Sequence, residues 1–161
     1  MSANELSTLL WRERELLELL LFKLEEEQLL LTAGKAKWLP FATREVEQVL
    51  ARLRKAGIER TVESESVAAA WGAHEGATLR ELIRVAPSDA WRDILSSHLT
   101  ALTGLTAQIA DIRDANLTYL RAASRSTQET LANLEPQPGV YDDRGATAMA
   151  ATGGHLFDRR F

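Results

Sequence analysis

The sequence predicts an all-α protein: an antiparallel bundle of three long helices, with a short extra helix in the second connection and a flexible C-terminal tail. Three observations predict it. The segment Leu9 to Leu31, LLWRERELLELLLFKLEEEQLLL, repeats leucine at helical spacing. A second, weaker stripe runs through Val46, Val49, Leu50 and Leu53. A third, Trp91, Leu95, His98, Leu102, Leu105, Ile109, Ile112, Asn116 and Tyr119, keeps steps of three and four without a break. Such a period gives each segment one apolar face along a helix and none along a strand.

In the first segment Leu6, Leu10, Leu17, Leu20, Leu24 and Leu31 form the stripe, and Glu13 and Glu27 interrupt it. Leu9, Leu16, Leu19, Leu21 and Leu30 widen it beyond a two-stranded seam, which suits a helix with at least two neighbours. Arg14 with Glu18 and Lys23 with Glu27 are four apart and predict pairs on the outer face. Glu25-Glu26-Glu27 reads as a solvated acidic face. Gly34 predicts the stop, since glycine adopts the left-handed closing conformation at little cost, and Lys35 and Lys37 complement the negative helix end.

Pro40 predicts the first turn of a second helix, where the missing N–H costs nothing; a start nearer Ala36 is the alternative. Gly57 weakens this helix and allows a bend, after which the pattern resumes through Ile58, Val62 and Val67 to Ala70. The glycines of WGAHEGAT, 71–78, end it. Thr78 and Glu81 have capping-box spacing, predicting a short helix over about 79–85 closed by Pro87. HEGAT falls short of a zinc-protease helix, because Thr78 stands where the second histidine is needed. Ser88 or Asp89 caps the third long helix, which extends to about Leu134. His98 on its stripe reads as a hydrogen-bonded seam residue and Asn116 as one that fixes register. After Tyr119 the stripe thins, leaving Leu117, Leu120, Leu131 and Leu134 with less core to bury them. Leu105, mid-stripe, is expected at the centre of the seam.

Pro136 and Pro138 end that helix, dividing the chain into a helical domain, 1–135, and a tail, 136–161. The tail is too poor in apolar residues to fold alone, yet holds Val140, Tyr141, Met149, Leu156, Phe157 and Phe161, as a short binding motif would.

Composition excludes several classes. The 161 residues are 45% hydrophobic and 26% charged, ordinary for a soluble domain. Without cysteine, disulfides and thiolate metal sites are excluded. The net charge is −4 and the densest basic run, RLRK at 52–55, lies among acids, so nucleic acid is not an expected partner. Ile94 to Ala110 is too short and polar for a membrane span. The amino terminus lacks a basic leader with an apolar run, so no secretion signal is expected. No Ser/His/Asp or Cys/His arrangement, phosphate loop or Glu-x-x-His pair points to an enzyme, a cofactor or a small-molecule substrate.

The order of these pieces resembles the FlgN-type flagellar export chaperones. The likeness covers most of the chain: the Leu/Glu helix at 6–33, LTAGKAKWLPFATREVEQVLARL at 31–53, ANLTYL at 115–120 and LANLEPQPGVYDDRGAT at 131–147. In the last, a proline break precedes an apolar–Tyr–x–x–x–Gly segment. The resemblance implies a cytoplasmic all-helical chaperone that holds hook-associated (hook–filament junction) proteins unassembled and delivers them to the type III export gate. It places client binding around the end of the long helix, here Leu117, Leu120, Leu131, Leu134 and Val140. The family tyrosine that docks on the cytoplasmic domain of the export gate matches Tyr141, with Asp142, Arg144 and Gly145 beside it. WGAHEGATLRELIRVAPSDAW and the end LFDRRF depart from the family's shorter members. The alternative is a helical adaptor or coiled-coil oligomer without a chaperone role.

Overall fold

A computed structural model describes residues 3–134 of the chain. They are helical: α1 Ala3–Thr32, a 3-10 turn Ala36–Trp38, α2 Leu39–Trp71, α3 Leu79–Val85 and α4 Asp89–Leu134, with no strand among the described residues. The chain divides into two compact units, 1–122 and 123–161. Within the second, the described residues 123–134 are a helical segment whose every position is exposed. The tail expected at 136–161 lies outside the described residues.

The element ends follow local chemistry. Gly34 closes α1 with φ +66°, and the Lys35 and Gly34 N–H groups donate to the carbonyls of Leu30 (2.9 Å) and Leu31 (3.2 Å). These two reversed bonds satisfy carbonyls the helix end leaves open. Gly72 ends α2 in the same left-handed conformation, φ 73°, with Ala73 N–H donating to Ala68 O at 2.9 Å. Pro40 lies in the first turn of α2, as its fixed φ favours. The earlier start at Ala36 is realised only as the 3-10 turn, so both readings of this junction hold a part. Gly57 sits inside α2 without interrupting it. Thr78 Oγ1 accepts from Glu81 N–H (3.3 Å) while Thr78 N–H donates to Glu81 Oε2 (2.7 Å), completing the capping box of α3. Of the two candidates for capping α4, Ser88 does so, its Oγ accepting from Trp91 N–H at 3.3 Å.

Unit 1–122 holds two apolar clusters. One gathers Leu6 and Leu10 of α1, Val67 and Ala68 of α2, Leu82 of α3 and Leu95 of α4. The other joins Leu20 and Leu24 to Val46 and Val49, with Ile109 and Ile112 packed against it. Ion pairs between α1 and α2 join Arg12 to Glu59 (3.2 Å) and Glu13 to Arg60 (2.7 Å) early in α1, and Lys23 to Glu45 (2.9 Å) further along it. Contacts between α1 and α4 instead keep an almost constant offset. Ser7 Oγ meets His98 Nε2 at 3.1 Å, 91 residues apart, and Asn116 Nδ2 donates to Leu24 O at 2.9 Å, 92 apart.

Several expectations are corrected. Leu105 is half-buried and belongs to neither cluster. The α1–α4 offset brings it level with Glu13 and Arg14, where the α1 stripe is polar. Glu27 is not on the solvated face: it is 7% exposed and accepts from Thr43 Oγ1 at 3.3 Å. Lys23 pairs with Glu26 (3.0 Å) and Glu45, leaving Glu27 to α2. Arg14 lies over the Trp11 ring, 4.0 Å from its centroid, and forms no pair with Glu18. Ile58 and Val62 keep helical spacing yet are exposed, because α2 turns Ala56, Glu63 and Val67 inward.

Candidate binding surfaces

The residues expected to bind a client fall in three places. Leu117 and Leu120 lie in unit 1–122 and Leu131 and Leu134 in unit 123–161, and all four are exposed, as is Tyr119. α4 is continuous through them, but from Leu117 onward no side chain is buried. The stripe has reached its last inward-facing member at Asn116, whose amide is 3% exposed. Val140, Tyr141, Asp142, Arg144 and Gly145 lie outside the described residues.

A second apolar surface escaped the periodicity argument. At the turn between α1 and α2, Leu29, Leu30, Trp38, Phe41 and Ala42 line a cavity of about 360 Å³, with Glu26 and Glu45 at its edge. Leu29, Trp38 and Phe41 are exposed, and the two rings tilt against each other at 5.8 Å. Lys23 bridges both acids, and the Glu45 and then Glu26 carboxylates raise its pKa. KWLPF at 37–41 was the available signal, two aromatic rings packed around a helix-start proline, but it belongs to no stripe.

A second cavity, about 320 Å³, opens between α1 and α4, lined by Trp11, Arg14, Asp93, Ile94, Ser97 and His98. His98 is 1% exposed, its Nε2 faces Ser7, and its Nδ1 is buried without a partner. Burial first, and the Arg14 charge second, lower its pKa and keep the ring neutral. The Trp11 ring meets the imidazole edge-on at 5.2 Å.

His74 Nε2 lies 3.3 Å from Glu81 Oε1, while its Nδ1 faces Glu75 O at 2.8 Å. The Thr78 N–H, then its hydroxyl, then His74 hold the Glu81 carboxyl down at about 2. Those contacts serve the helix cap. Among the described residues no group of three or more His, Asp or Glu side chains could hold a metal ion, and no helix is long and apolar enough to cross a membrane.

Comparison with known proteins gives one match and two blanks. The family model described as FlgN protein matches residues 1–148. No curated protein matches the chain, and no solved structure does.

Proposed function

Because the chain belongs to the FlgN family, we propose that it is a cytoplasmic flagellar type III export chaperone that binds hook-associated proteins, prevents their early assembly and delivers them to the export gate. The observation that carries this reading, beside family membership, is the exposure of the α4 leucines, Leu117 and Leu120 in one unit and Leu131 and Leu134 in the other. An amphipathic helix whose apolar residues lack a neighbour suits a client helix, which would supply the missing face. We take the long helices as an antiparallel three-helix bundle within a helical domain, 1–135, and residues 136–161 as a tail carrying a binding motif. The ion pairs from α1 to α2 and the α1–α4 contacts support that arrangement. Client capture falls to the four leucines with Val140, and docking on the cytoplasmic domain of the export gate to Tyr141 with Asp142, Arg144 and Gly145.

The test is co-purification of the tagged chain from its own cells. A hook-associated protein is the expected partner, lost when Leu131 and Leu134 are both changed to serine. Tyr141→Ala should keep that partner and lose pull-down by the gate's cytoplasmic domain. If no flagellar partner is recovered and the purified chain sediments as an oligomer, the protein is a helical self-association module.

A further inference from the structure

We infer that the cavity between α1 and α4 is a docking site for a partner segment that presents a carboxylate beside an apolar side chain, the carboxylate going to Arg14 and the apolar group to Trp11 and Ile94. This site is separate from the exposed leucines of α4 and does not depend on the chaperone reading.

Two residues that line the cavity hold buried polar atoms without partners, Nε of Arg14 and Nδ1 of His98. A buried donor without an acceptor costs free energy that a ligand oxygen would recover. Ser7 Oγ and His98 Nε2 lie 3.1 Å apart in a contact whose direction follows the ring tautomer, whereas Arg14 Nε–H is a donor in every state. Arg14 therefore asks for an acceptor, and it adds a positive charge that no carboxylate among the described residues pairs with. The guanidinium is already oriented by the Trp11 face at 4.0 Å, which reduces the entropy lost when it closes on a carboxylate. Trp11 is 51% exposed and Ile94 40% exposed, so an apolar group can reach them. Asp93 is the one carboxylate among the lining residues; it forms no ion pair with Arg14 and stands exposed, where water screens its charge.

The probe is 4-phenylbutyrate, an apolar ring carrying a carboxylate, compared with its amide, 4-phenylbutyramide. Titration of the full chain is followed by the Trp11 indole and Arg14 Nε–H signals in NMR spectra. The acid should give saturable shifts of both signals and bind about tenfold more tightly than the amide, the ratio expected for a charge-assisted bond over a neutral one. Arg14→Gln should abolish that preference. Ile94→Asp, at an exposed position that leaves the core untouched, removes an apolar contact both probes share and adds a repelling charge, so it should weaken the acid more than the amide and erase the acid's preference. Acid and amide binding equally would overturn the inference and leave only an apolar crevice. So would no shift up to the solubility limit of the acid, or an acid preference that persists in Ile94→Asp.

Discussion

Truncating Leu95 and Leu105 to alanine, one at a time, tests the packing of α4 directly. Both lie on the same stripe, and local pattern gives no reason to rank them. Leu95 is 0% exposed and packs with residues of α1, α2 and α3, so its loss leaves a cavity that three helices cannot all close. Leu→Ala at such a site costs about 2–5 kcal/mol. For a chain of this length each kcal/mol moves Tm by roughly 2–4 °C, and a central value near 3 kcal/mol lowers Tm by about 6–12 °C. Leu105 is half-buried and outside both clusters. At about 0.8 kcal/mol per buried carbon, with part of the side chain already in water, its truncation costs ~1 kcal/mol. Urea unfolding followed by circular dichroism gives both values, with an unchanged slope required for the comparison. Equal losses at the two positions, or a larger one at Leu105, would refute the placement of α4 against α1.

Other outcomes follow from the same structure. Gly57→Ala should stabilise by about 0.5–1 kcal/mol, because the residue is interior to α2 and an added Cβ meets nothing within 4 Å; a lower Tm would contradict this. Thr78→Ala removes the acceptor for Glu81 N–H and should cost about 0.5–2 kcal/mol, measured by thermal melting. His98 gives a pH signature. Its folded pKa lies below the ordinary 6.5, so as pH falls under 6.5 the unfolded chain takes a proton that the folded chain refuses. Stability is full above that pH and declines below it, until the folded-state pKa is passed. His98→Gln should flatten that decline. The raised pKa of His74 works in the opposite sense, adding stability below 6.5 that is lost as pH rises, so the series is best run in His74→Gln.

The element boundaries were legible because each rests on chemistry within a few residues. Gly34 needs a positive φ, Pro40 needs a first turn, and Thr78 with Glu81 needs only its own backbone. The inward placement of His98 and Asn116 was legible as well, from one uninterrupted stripe. Contacts between helices were less so. That Lys23 reaches Glu45, that Glu27 goes to Thr43, and that Leu105 stands level with Glu13 all depend on how far one helix is displaced along another. No local period fixes that displacement. Ile58 and Val62 illustrate the same limit, having correct spacing on a helix rotated to bury other positions. Among the surfaces, the exposed leucines were anticipated by the thinning of their stripe. The Trp38–Phe41 cavity was not, because it is assembled across a turn.

The two polar contacts between α1 and α4 share nearly one offset, and this constrains how the helices can move. A slide of α4 along α1 by one turn, about 5.4 Å, would break the Ser7–His98 and Leu24–Asn116 contacts together. Loss of the Ser7 contact would leave the buried His98 ring unpaired, at about 1–3 kcal/mol. His98 finds no equivalent partner one turn away, since Trp11 follows Ser7 at that spacing, whereas Asn116 would meet another α1 carbonyl of the same kind as that of Leu24. Ratcheting between registers is thereby disfavoured in this unit. Any rearrangement that a partner induces here has to proceed by tilting or local melting, with the vertical alignment of the two helices preserved.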